Sequence, residues 1–203
     1  MFKIIDTLES RVWASGSQDL YQYRVYIGPQ SVPTHSLNSY WWIDQDQVRS
    51  CTGTGQPLTS DLMCVEIMGY TPEYRASSFG RGTDLPYING CSTKQLIPPV
   101  RPGDPTFQML YMPPGTSEQA HHIHATARVV YVLSGRGRSL VGSEGAHVSY
   151  DLKPGSVIIL GKMTQHHFET DPDSDLTVLP LHIFSSVSSE EFNHPMFNGT
   201  HRV

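Results

Sequence analysis

Between Thr106 and Phe184 the chain breaks into runs of strand length, each closed by glycine or proline, and that punctuation leaves little room for a helical fold. The runs are Thr106 to Met112, Ala120 to His124, Arg128 to Leu133, His147 to Asp151, Ser156 to Leu160, His166 to Glu169 and Leu176 to Phe184. Pro113-Pro114-Gly115, Gly135, Gly142 with Gly145, and Pro154-Gly155 separate them. Short strands with turns at regular spacing indicate a sandwich or a barrel. Upstream, Tyr21 to Ile27 alternates like a half-buried strand, and Ser39 to Ile43 carries Tyr40, Trp41 and Trp42. Leu62 to Met68 is a near-continuous apolar run with Glu66 inside it, too short for a helix and flanked by turn residues. From Gly69 to Pro105 the chain reads mostly as loop, with one strand near Lys94 to Ile97. Ser188 or Ser189, followed by Glu190 and Glu191, is suited to cap one short terminal helix.

Composition narrows the class of function. The chain has 203 residues, of which 38% are hydrophobic and only 16% charged, so it can bury a core and does not read as disordered. A formal charge of −5 without a lysine or arginine run gives nucleic-acid binding little electrostatic support. No apolar run has the length of a bilayer span, and charges inside the first thirteen residues argue against a signal peptide. Cys51, Cys64 and Cys91 are an odd number without a C-x-x-C pair, so neither a disulfide framework nor a zinc knuckle is expected. The expected setting is reducing and cytoplasmic.

The histidines carry the chemistry. Five of the ten fall in two tight clusters, His121-His122-Ile123-His124 and His166-His167. Residues two apart on a strand share a face, so His122 and His124 point one way and His121 the other. Two imidazoles on one face can reach one metal ion, and imidazole suits iron, zinc, copper and nickel alike. A third ligand from another strand would be His166 or His167, of which only one can face inward.

At these residues the sequence resembles the cupin superfamily. Its first motif, G-x5-H-x-H-x3/4-E-x6-G, is met by His122-x-His124 and Gly135, with Gly115 one residue too far upstream and Arg128 where glutamate is usual. Its second motif, G-x5-P-x-G-x2-H-x3-N, is met by Gly155 and His166, while Gly161, Met163 and Thr170 stand at the proline, second glycine and asparagine positions. The resemblance runs from about Thr106 to Phe184. It implies an all-β chain: a jelly-roll-like antiparallel barrel with extra N-terminal strands. Residues 1–100 would be an extension adding strands or loops, 101–187 the barrel core, and 188–203 a short helix and tail. The resemblance also implies His122, His124 and His166 as ligands of one divalent ion. Some cupins, among them cysteine-type and gentisate-type dioxygenases, hold iron with three histidines and no glutamate, and this chain is similar to them at the ligand positions.

The departure at Arg128 carries information. Turned inward, it places a guanidinium near the metal, where it would clamp a carboxylate or phosphate and take part in catalysis; turned outward, it is a surface residue. His182, in a late apolar strand, is either a satisfied core residue or a catalytic base. Gln108 and Tyr111 are candidates to line the substrate pocket. His121 and His167 read as surface or supporting residues. The expected function is that of a metal-dependent enzyme, a non-haem Fe(II) dioxygenase acting on a small aromatic or carboxylate anion. The alternatives are a lyase or isomerase using zinc, manganese or nickel, and a small-molecule binder without catalysis. A small-molecule substrate is the expected partner, and the resemblance implies a homodimer.

Overall fold

The computed structural model describes residues 2–5, 11–18, 21–68, 73–99, 104–183 and 200–202. In chain order the strands begin with β1 (Phe2–Ile5), β2 (Arg11–Gln18), β3 (Tyr21–Ile27), β4 (Gln30–Val32) and β5 (Asn38–Ile43). There follow β6 (Gln47–Thr52), β7 (Leu58–Ser60), β8 (Met63–Met68), β9 (Arg75–Ser78) and β10 (Leu85–Pro86). After one 3-10 turn, Ile88–Gly90, come β11 (Ser92–Ile97), β12 (Thr106–Met112), β13 (His122–His124), β14 (Arg128–Gly135) and β15 (Gly137–Val141). The last are β16 (Val148–Leu152), β17 (Val157–Leu160), β18 (His166–Thr170), β19 (Leu176–His182) and β20 (Thr200–Arg202). The expected terminal helix falls at residues outside those described. Among the described residues no helix is long and apolar enough to cross a membrane.

The chain forms two compact units. One comprises residues 1–6 and 82–203, the other 7–81. In the first, β1-β17-β14-β19-β12-β11-β10 form one antiparallel sheet and β16-β15-β18-β13-β20 another. β11, in the segment expected to add strands or loops to the barrel, pairs with β12, and β10 pairs with β11. The inner faces of both sheets meet in one core. Leu110 and Met112, Val130 and Val132, Ile158 and Leu160, and Val178 come from the larger sheet, while Val141, Leu152 and Phe168 come from the smaller. Each is every second residue of its strand, which is how the pleat sorts side chains between core and outside. This is the antiparallel, nearly all-β architecture of the cupin barrel.

Turn chemistry fixes the ends of the site strands. Gly135 has φ +84°, and a Cβ there would lie 2.0 Å from the Asp175 carbonyl oxygen, so no other residue fits. Met163 stands where the motif has glycine, yet it keeps the left-handed conformation, with φ 59°. Its N–H donates to the His124 carbonyl at 2.7 Å, tying the loop before β18 to the end of β13.

The unit of residues 7–81 holds the sheet β2-β3-β8-β5-β6-β9 and the pair β4-β7. Tyr26, Val32, Tyr40, Trp42 and Cys64 pack in one cluster. Glu66 is buried among strands and satisfied completely. Its carboxylate accepts from Asn38 Nδ2 at 2.7 Å, Tyr26 Oη at 2.9 Å, Tyr40 Oη at 3.0 Å and Arg24 Nη1 at 3.2 Å.

Candidate metal centre

β13 and β18 are antiparallel neighbours, with His122 directly across from His166. His124 lies two residues along β13 and so shares their face. The three imidazoles are buried, and one ring nitrogen from each lies within 4.8 Å of the others. Ring centroids are 4.6 Å apart for His122–His124 and His122–His166, and 5.0 Å for His124–His166.

Backbone carbonyls set the tautomers. His122 Nδ1 faces the Ala120 oxygen at 2.9 Å and His166 Nδ1 faces the Thr164 oxygen at 2.8 Å. A carbonyl only accepts, so both Nδ1 atoms carry the hydrogen and both Nε2 atoms present a lone pair to the centre. Fixing a ligand ring through its second nitrogen is the usual support of a metal-binding histidine. Burial holds the rings neutral. It pulls His122 down to about 2, with His166 and Arg128 adding repulsion, and pulls His166 down to about 3, with Arg128 adding to it. His124 is held well below its ordinary value by burial and then by Arg128. Three neutral imidazoles, two of them oriented by backbone carbonyls, are a donor set that fits a divalent ion of the iron and zinc group.

Arg128 starts β14, and alternation places it on the same face as Val130 and Val132. It is buried, at 4% exposure, and its Nη1 hydrogen-bonds His124 Nε2. Its Nε and Nη2 have no hydrogen-bond partner among the described residues. Burial lowers the guanidinium to about 9, opposed by the charge of Glu118. Glu118 is a site residue that sequence reasoning missed. It is buried at 4% exposure, and its Oε1 lies 4.0 Å from His122 Nε2. Burial pushes its carboxyl up to about 7, against the pull of Arg128 and the Phe168 N–H. Gln119 beside it brings its amide Nε2 to 2.7 Å from His122 Nε2, and its buried Oε1 has no partner among the described residues.

Glu118, His124, Arg128 and His166 share a small cavity with an apolar wall that includes Leu110, Leu160 and Phe168. His182 is buried on β19, across from Arg128, and shares the face of Val178 and Pro180, which also line the cavity. Its Nε2 has no hydrogen-bond partner among the described residues, and burial, then Arg128, keeps the ring neutral. Gln108 is buried on the face of β12 that carries Leu110. Tyr111, expected beside the substrate, is placed by the pleat on the opposite face from Leu110 and does not line this cavity.

Residues 108–184 match the family model for the cupin domain, so the part of the chain that carries the three histidines is a cupin domain. No curated protein matches the sequence. Solved structures share the fold over both units. A cupin 2 conserved barrel domain protein from Leptotrichia buccalis is 12% identical, with 90% of this chain and 88% of that one covered at a TM-score of 0.54. An IolB-like protein from Salmonella typhimurium is 13% identical, with 88% and 91% covered at 0.59. Salicylate 1,2-dioxygenase from Pseudoaminobacter salicylatoxidans, solved with gentisate, is 10% identical, with 90% and 72% covered at 0.58. At these identities the likeness is one of fold.

Proposed function

We propose that this chain is a metal-dependent cupin enzyme, a non-haem Fe(II) dioxygenase acting on a small aromatic or carboxylate anion. The observation that carries the reading is a buried cation where the family motif has a ligand carboxylate: Arg128, whose Nε and Nη2 have no partner among the described residues, beside three neutral imidazoles. An iron(II) ion held by His122, His124 and His166 would supply redox chemistry toward dioxygen and leave coordination positions open for substrate. Arg128 would receive the anionic group of the substrate through Nε and Nη2 and set its orientation. Leu110, Leu160 and Phe168 would exclude water from the reacting face. Glu118 would hold or take a proton at its carboxyl, and His182 would offer a neutral nitrogen on the cavity face. The likeness in fold to a salicylate 1,2-dioxygenase supports an aromatic acid as the first substrate to try.

A second reading rests on Glu118. A buried carboxyl raised to about 7 suits general acid–base work in a lyase or isomerase, with zinc, manganese or nickel polarising a carbonyl. One experiment separates the two. Iron-loaded protein is offered a panel of hydroxybenzoates and small carboxylates while oxygen uptake is followed. The oxygenase reading predicts uptake with at least one anion, and a KM that rises about ten- to hundredfold in Arg128→Met, the worth of a charge-assisted hydrogen bond. Turnover without oxygen, supported by zinc, manganese or nickel and lost in Glu118→Gln, would select the second reading instead.

A further inference from the structure

Beyond the inner triad lies a second set of histidines, with His121 just before β13 and His167 on β18, one residue from the inward-facing His166. His121 and His167 meet there, with Nδ1 atoms 2.7 Å apart and ring centroids 5.0 Å apart. His147, exposed just before β16, completes a triangle, with centroids 6.0 Å from His121 and 6.4 Å from His167. The His121 and His167 rings are held from behind. His121 Nε2 hydrogen-bonds the Gly142 carbonyl, and His167 Nε2 faces Glu169 Oε1 at 3.2 Å. Glu169 is itself anchored by Arg138 Nη2 at 3.0 Å.

The acceptors decide which nitrogens carry hydrogen. A carbonyl and a carboxylate both accept, so Nε2 of each ring donates and each Nδ1 presents a lone pair. Two lone pairs then face one another, and an electrophile must join them. A histidine backed by a carboxylate and another backed by a backbone carbonyl are the two common supports of metal ligands. With metal–nitrogen bonds of about 2.0–2.1 Å, a tetrahedral ion would part the two Nδ1 atoms to about 3.3 Å and hold imidazole centroids about 5–6 Å apart; the His121 pairs fall in that range and His147–His167, at 6.4 Å, lies just beyond it. His147 is exposed and free to turn its ring onto the same point.

We propose that His121, His147 and His167 form a second, outer metal site that takes a divalent ion of the zinc class, with water completing the coordination and Glu169 as the supporting carboxylate. The site is open to solvent, in contrast to the buried inner triad, so its ion exchanges with the medium. It stands apart from the proposed reaction, since none of its side chains lines the inner cavity.

The test is zinc titration of the chelator-stripped full chain by calorimetry, with bound metal counted after desalting. Two ions per chain are expected in the wild type. Glu169→Gln should weaken the outer ion about ten- to hundredfold. His147→Ala should weaken it at least as much, and both variants should leave the inner ion unchanged. Because His147 is exposed, that variant tests the site without threatening the fold. His122→Ala with His124→Ala should remove the inner ion and keep the outer one. A single ion per chain, abolished by the His122 and His124 substitutions, would overturn the proposal. So would two ions whose affinities ignore both His147→Ala and Glu169→Gln, since a shared proton would then account for the His121–His167 contact.

Discussion

Glu66 sits at 1% exposure and still titrates below its ordinary value. Burial alone would raise it; hydrogen bonds from Asn38, Tyr26 and Tyr40, with the charge of Arg24, outweigh that. A carboxyl lowered in the folded state stabilises fully above its unfolded pKa and loses that contribution as pH falls through the lower folded value. The relevant window therefore lies below the ordinary 4.5. Glu66→Gln should weaken the unit of residues 7–81 by about 1–3 kcal/mol at neutral pH, because the amide sets an NH2 group against donors where the carboxylate accepted from four. The deficit should shrink as pH falls below the folded pKa. All three tryptophans, Trp13, Trp41 and Trp42, lie in this unit, so their fluorescence during urea unfolding at several pH values reads it out. A deficit constant with pH would contradict the assignment. The same scale explains what the sequence disclosed of the metal centre. His122 and His124 were legible because a period of two is a property of any strand. Glu118 and Gln119 were not, since they sit in a loop where no period sorts inside from outside, and only the fold brings them to His122.

At the scale of elements, β12, β14 and β17 to β19 were legible because each alternates or runs apolar between glycine and proline turns. β15 was not: Gly137 to Val141 is a short run between glycines, with one arginine, and its strand character comes from pairing with both β16 and β18. β6 is hidden in the same way, its six residues mixing Gln47 and Arg49 with Val48 and Cys51 while pairing with β5 and β9. The loop before β18 departs from the motif in sequence but not in backbone. Met163 occupies a left-handed conformation that a side chain disfavours, and it is exposed, so its side chain contributes little packing. Met163→Gly should raise the melting temperature, by an amount equivalent to up to about 1 kcal/mol, while the His124 tie is kept. A lower melting temperature would show that the methionine side chain stabilises the loop in some other way.

For the whole molecule, the histidine-bearing cupin domain is the part whose sequence and structure speak with one voice. Some of the remaining strands pair across long separations that no local pattern announces; β1, for instance, joins β17 far along the chain. The central claim is that the inner triad holds a divalent ion, iron above others. The most direct measurement is metal content after anaerobic purification, made in a His147→Ala, His167→Ala background so that only the inner site is counted. The account predicts near-stoichiometric iron there, and none once His122→Ala and His124→Ala are added. A protein that carries no metal and takes up none on anaerobic reconstitution with iron, zinc, manganese or nickel would contradict it.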